Sequence, residues 1–320
     1  MTVKLLKMKK IIILAFAALF SAGIASAQTM EEAIDLYNTG TTMLGTGDNK
    51  GALNYFEQAL TMGETIGPEA TELISNCKDI IPKLHLQIAK DYVEAQNTDM
   101  AVAEIEKTIA LAGQYGETET IQEANELLPQ ILLQNAGRLL NSKQYTEAAE
   151  AYKAVIEVQP DNATAWLRMG LAYRGANNNE AAVDALLKAG ELGQTKEANK
   201  QLSTLYLLEA VKHQKAKNWA GVIENAELSA SYEDNYNAQQ LIGVAALQLG
   251  QYEKAISGFE NYLALQPNAK NKNQMYYYIA TAYNSMGNKD MACTYFKMIM
   301  DDPQLGEYAT HMVKNELKCA

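Results

Sequence analysis

From residue 28 onward, apolar side chains recur at steps of three and four, and short Gly, Asn and Asp clusters break the runs. That step is the period of an amphipathic helix facing a core. The Val, Ile and Thr alternation that a strand needs is not sustained anywhere. The pattern predicts an all-α chain of short helices joined by tight turns. Residues 1–27 follow another plan. Lys4, Lys7, Lys9 and Lys10 precede an apolar run from Ile11 to Phe20, and small residues lead to Ala25-Ser26-Ala27 before Gln28. This is the layout of a secretory signal peptide cleaved after Ala27, and its apolar run is short for a membrane span of roughly 20 residues. No cysteine stands beside the cleavage region, so a lipid anchor is not indicated. The expectation is an exported protein, periplasmic or secreted, with no membrane insertion after cleavage.

The helical pattern repeats. Tyr145, Ala148, Tyr152 and Pro160 form one unit, and Trp166, Gly170, Tyr173, Ala182, Leu186 and Ala189 form the next. Gly243, Gly250, Tyr252, Ala255, Phe259 and Pro267 give a third, and Tyr276, Ala280, Tyr283, Gly287, Ala292 and Phe296 a fourth. Gly and Ala are needed where two antiparallel helices cross closely, an aromatic ring fills the gap between hairpins, and proline ends the second helix. These spacings resemble the tetratricopeptide repeat, a helix–turn–helix unit of about 34 residues.

Weaker copies occur at Leu36–Thr61, His85–Thr108 and Tyr206–Ser229. The resemblance implies a right-handed superhelical solenoid of about seven such hairpins, with Leu305–Lys318 as a C-terminal capping helix. The expected divisions are a signal peptide at 1–27, a first unit at 28–66 and a second at 67–128 with helical extensions. The third and fourth units occupy 129–200, the fifth to seventh 201–303, and the cap 304–320. Ile80-Ile81-Pro82 and Leu127-Leu128-Pro129 match each other, and the material before each, 67–81 and 116–128, reads as a helical extension bent or interrupted at its proline. An excess near Gly193–Lys200 marks the expected place for a change of superhelical direction.

Charge and composition narrow the partners. The 320-residue chain has 38 acidic against 27 basic side chains, a net charge of −11, which argues against nucleic acid because phosphate contacts need clustered Lys and Arg. Candidate chemistry fails on its partners. Ser75-Asn76-Cys77-Lys78 has the S-x-x-K form of a penicillin-binding nucleophile, but the S-D-N and K-T-G elements are missing. Gly45-Thr46-Gly47 reads as an interhelical turn. His85, His213 and His311 are scattered and fit no zinc spacing. The expectation is therefore no enzyme, no metal and no cofactor. Among Cys77, Cys293 and Cys319, two antiparallel helices would carry Cys319 about 12 Å past Cys293, so no intramolecular disulfide is expected and Cys319 is left open to dimerisation.

The resemblance also implies the functional surface. In such repeats the first helix of each hairpin lines a concave groove that holds a protein or peptide partner. Across the third to sixth units its lining positions hold Leu133, Leu140, Leu167, Leu171, Leu207, Val211, Val244 and Leu247. Arg168 neighbours this stripe and Arg174 lies on it. The duller alternative is that the leucines pack on adjacent repeats and the arginines pair with carboxylates. The family's two-carboxylate clamp is not expected, since Leu133, Gly137, Arg168, Thr204 and Leu208 occupy its positions. The leading expectation is an exported scaffold in cell-envelope assembly or maintenance. The alternatives are an enzyme or accessory acting on envelope polymer, and a structural spacer without a specific ligand.

Overall fold

The structure is a computed structural model and describes residues 30–319. The expected signal peptide at 1–27 lies outside the described residues. The described residues are α-helical with short turns and contain no strand. They form two compact units, one ending at Ile131 and one beginning at Leu132.

The unit ending at Ile131 starts with the hairpin α1 (Met30–Gly45) and α2 (Asn49–Ile66), then α3 (Thr71–Glu94) and α4 (Thr98–Tyr115). It also includes the start of α5 (Thr118–Asn141). Ala33, Ala52, Phe56, Ala59, Cys77 and Ile81 make its first core, and Phe56 is fully buried against the face of Gly40. The expected interruption at the prolines is corrected. Both α3 and α5 run through Pro82 and Pro129 as 24-residue helices. A proline removes one amide donor, leaving the Lys78 and Asn125 carbonyls without their helical partners. In α3 that loss is outweighed by burial on both sides of the ring, where Cys77, Ile81, Leu84 and Leu86 are all in the core.

The unit from Leu132 onward contains the rest of α5 with α6 (Tyr145–Val158), then α7 (Ala163–Gly175) with α8 (Asn179–Ala189). Next come α9 (Thr195–Lys215) with α10 (Trp219–Tyr232) and α11 (Tyr236–Gln248) with α12 (Tyr252–Leu265). The last pair is α13 (Lys272–Ser285) with α14 (Lys289–Lys297), followed by α15 (Gly306–His311) and one wide turn, Met312–Glu316. The glycines and alanines do what their spacing predicts. A side chain at Gly170 would fall 2.7 Å from Leu186, and one at Gly243 only 2.6 Å from the Phe259 ring. Near Gly193–Lys200 the chain passes from α8 into α9 through a wide turn at Gly190–Gln194, where Gly193 has φ +104°.

One turn design joins every pair. A residue with positive φ is followed by one whose N–H reaches back five residues, as in Asn97 to Tyr92, Gln144 to Leu139 and Asn218 to His213. That next residue then opens the second helix. Asp48, Asn97, Asn178, Asn218 and Asn288 each accept a bond from an amide three residues on, which satisfies one orphan donor of the helix start.

A wider turn with a positive φ overturns the cysteine expectation. Cys293 and Cys319 form a disulfide, with their Cα atoms 5.8 Å apart. A straight antiparallel helix would carry Cys319 past Cys293. Instead Lys318 takes φ +49° and the Cys319 N–H bonds back to the Val313 carbonyl, which returns the cysteine to the level of Cys293. Dimerisation through a free Cys319 thiol is thereby withdrawn; Cys77, buried, is the free cysteine among the described residues.

Candidate functional site

The stripe of first-helix residues lies on α5, α7, α9 and α11. Adjacent first helices touch: α7 contacts α9, and α9 contacts α11. Gln201 on α9 accepts a 2.6 Å bond from Nη1 of Arg174 on α7, and Asn179, opening α8, bonds Glu209 on α9. The first tie joins neighbouring first helices, and the second joins α8 to α9.

Leu133, Leu140, Leu167, Leu171, Leu207, Val211, Val244 and Leu247 are all half-buried. Leu133 and Leu140 pack on the core of the third and fourth hairpins, Leu207 on that of the fifth and sixth, and Val244 and Leu247 on the Phe259 core. These five thus serve the fold with one side and leave the other open. Leu208, one position beyond Leu207, is 51% exposed and adds apolar surface. An open cavity of about 600 Å³ lies elsewhere, between α10 and the start of α12, with Ile223, Leu228, Glu227 and Lys254 in its lining.

The arginines separate. Arg174 is half-buried and engaged with Gln201, so it meets an amide and not a carboxylate. Arg168 is exposed and has no hydrogen-bond or ion-pair partner among the described residues. Its Nη1 would be 3.7 Å from a methyl group placed on Gly137 of α5, and the Tyr152 hydroxyl of α6 would be 3.8 Å from the same methyl. Tyr152 is fully buried and its hydroxyl finds no partner. The sequence puts Gly137 and Arg168 at two positions of the family's two-carboxylate clamp and Tyr152 in the gap between hairpins, and does not join the three.

A second polar cluster, which the sequence did not single out, lies in the unit ending at Ile131. His85 on α3 meets Glu104 on α4 at 2.6 Å, Lys107 meets the other Glu104 oxygen at 2.8 Å, and Glu57 on α2 stands 3.9 Å from the imidazole. Burial works against the Glu104 charge, yet bonds from His85 and Lys107 outweigh it and hold the carboxyl below its ordinary range. Burial pushes the Glu57 carboxyl up, and the His85 and Lys107 charges only partly offset this. Among the described residues no three His, Cys, Asp or Glu side chains gather to hold a metal ion, and no helix is long and apolar enough to cross a membrane.

Comparison with known proteins gives one match to a tetratricopeptide-repeat family model over residues 133–196. Residues 172–314 match a model of the N-terminal domain of the ESX-1 secretion system protein EccA1 of type VII secretion. No curated protein matches the sequence. Among solved structures, a MamA protein is 22% identical, covering 59% of this chain and 95% of its own, with a TM-score of 0.36. YrrB, described as a tetratricopeptide-repeat protein with an unusual peptide-binding site, is 18% identical over 60% of this chain and 96% of its own, at a TM-score of 0.35. PilW, a type IV pilus biogenesis factor, is 16% identical over 72% of this chain and 98% of its own, at a TM-score of 0.30. The hairpins share small residues at their crossings and one turn design, and the family match places tetratricopeptide repeats at the third and fourth of them.

Proposed function

We propose that the protein is an exported adaptor that holds a segment of a partner protein on the first-helix wall of its third to sixth hairpins. One observation carries this reading: an aliphatic stripe that is half-buried along four first helices and borders a guanidinium with no partner of its own among the described residues. Helical or extended segments bind such walls by inserting apolar anchors, while an adjacent cation selects for acidic neighbours. A purely structural spacer gains nothing from an unpaired arginine beside open leucines. Export rests on the layout of residues 1–27, and a role in envelope assembly or maintenance follows from export.

Leu171 is half-buried on α7, so Leu171→Asp should abolish partner capture and leave helical circular dichroism and melting temperature near those of the parent. Replacing Arg168 and Arg174 together by alanine should weaken capture and flatten its salt dependence. If both variants retrieve the parent's partners with parent affinity, the wall is not the binding surface. Export has its own test. The N-terminus of protein recovered from the envelope fraction should begin at Gln28, and a chain retaining Lys4 in the cytoplasm would refute it.

A further inference from the structure

We infer that Gly137, Tyr152 and Arg168 form a slot for a single carboxylate of the bound segment; this rests on the reading of the first-helix wall as the partner surface. The ring of Tyr152 fills the place between hairpins that Phe56, Phe259 and Phe296 fill in the first, sixth and seventh pairs, and all four are almost completely buried. Phenylalanine therefore suffices for packing. The third hairpin alone among these four adds a hydroxyl, and that hydroxyl has no partner among the described residues. A buried donor without a partner is costly, so a bound acceptor would recover what the free fold forgoes.

The hydroxyl and the Arg168 guanidinium both lie within 4 Å of the place where Gly137 lacks a side chain, at 3.8 and 3.7 Å. An oxygen seated beside Gly137 would have an O–H donor and a cationic N–H donor as neighbours. Two donors and one positive charge match a carboxylate, which is acceptor-only and carries one negative charge. Arg138 and Arg174 are each engaged, with Asn135 and Gln201, which leaves Arg168 as the arginine available to an anion among the described residues. The carboxylate could belong to an Asp or Glu side chain or to a chain terminus. Both have the same chemistry at the slot, and both differ from a paired-carboxylate clamp, which needs several cations.

The test uses purified protein, isotope-labelled for NMR and titrated with sodium acetate against sodium chloride at matched ionic strength. A saturable shift at the Gly137 amide and the Arg168 Nε–H is expected with acetate only. Gly137→Ala should remove the shift while raising the melting temperature, because a methyl group there meets only ordinary contacts and alanine favours the helix. Tyr152→Phe should weaken acetate severalfold without lowering the melting temperature, since its hydroxyl has no bond to lose. Arg168→Ala should abolish the shift.

Three peptides then locate the source: acetyl-Leu-Asp-Leu-amide, acetyl-Leu-Asn-Leu-amide, and acetyl-Leu-Leu-Ala with a free C-terminus. About tenfold or tighter binding of the Asp peptide over the Asn peptide, lost in Gly137→Ala, supports a side-chain carboxylate. The same preference shown only by the third peptide supports a terminal one. No saturable acetate shift at Gly137, or a larger one with inorganic phosphate, overturns the slot. Equal binding of Asp and Asn peptides, with shifts at the Leu167 and Leu171 methyls, overturns the slot and leaves the wall reading intact. Acetate saturation without any peptide shift at those methyls does the reverse.

Discussion

His85 donates from Nδ1 to the carboxylate of Glu104 at 2.6 Å, and both side chains are buried, at 4% and 5% exposure. The bond joins α3 to α4, and Glu57 approaches the same imidazole from α2. Three helices of one unit therefore meet at a polar point inside an otherwise apolar stack.

The two carboxylates of that cluster should respond to acid in opposite directions. Glu104 is held below its ordinary range in the fold, so its contribution is complete above the unfolded value of 4.5 and is lost as pH falls through the folded one. Glu57 is pushed up by burial, so its charge opposes folding at neutral pH and protonation relieves it. Glu104→Gln should cost about 1.5–3 kcal/mol at pH 7, the usual worth of bonds to a buried charged group, with the deficit shrinking below pH 4. Glu57→Gln should be neutral or stabilising at pH 7. Urea denaturation of both variants at pH 7 and pH 3.5 checks the pair, and a Glu104→Gln deficit that does not shrink at pH 3.5 would contradict the account.

The interhelix turns offer a stability gain. Gln96, Lys143 and Lys217 adopt φ of 57°, 60° and 57° at the place where Gly47, Gly250 and Gly287 serve other hairpins. A side chain in this left-handed region costs roughly 1–2 kcal/mol, while glycine adds entropy to the unfolded chain. Each of Gln96→Gly, Lys143→Gly and Lys217→Gly should therefore stabilise by about 0.5–1 kcal/mol, read as a higher urea midpoint at unchanged slope. Asn177, at φ 60°, should gain less because asparagine tolerates this region.

Two glycines inside helices should give opposite signs. A methyl group at Gly258 of α12 would lie 2.8 Å from the Gly243 amide nitrogen and 3.0 Å from the Gln239 carbonyl oxygen, both backbone atoms that cannot step aside. Gly258→Ala should force α11 and α12 apart and cost about 1–3 kcal/mol. Gly113 of α4 is exposed with nothing within 4 Å, so Gly113→Ala should gain about 0.5–1 kcal/mol from helix propensity. Thermal melts of the two variants side by side decide the point.

The fold was legible because tetratricopeptide packing writes itself in single positions. Gly170, Gly243, Ala148 and Ala255 are small because a second helix crosses there, and Tyr152, Phe259 and Phe296 are large because a hairpin gap must be filled. Contacts between side chains of different helices were not legible. Nothing local to Glu104 announces that His85 will meet it, since the meeting depends on the crossing of α3 and α4. Pro82 and Pro129 signalled a break by their own chemistry, but tertiary burial carried both helices through. The candidate site was half visible. Its leucines follow the helical period, whereas the joint approach of Gly137, Tyr152 and Arg168 needs three helices in place.

The disulfide gives the last prediction. Cys293 and Cys319 are 26 residues apart in sequence and close a loop containing the end of α14, the turn and α15. Closing a loop of that size removes unfolded-state entropy worth about 3–4 kcal/mol. The bond pins the terminal helical segment, whose Ala309, Met312, Val313 and Leu317 cover Phe296 and Ile299 in the last core. Asp302 supports the same segment from its start, accepting bonds from the amides of Gln304 and Leu305 and from Asn273. Cys319→Ser should therefore loosen residues 306–319 first, seen as faster amide exchange there than in α9 or α11, before any loss of global helicity. Oxidised protein should give a linked 293–319 peptide on non-reducing digestion and mass spectrometry. Cys319 in that protein should resist alkylation until a reductant is added. If it alkylates without reductant, the cap is held by packing alone and the exchange difference between parent and variant should vanish.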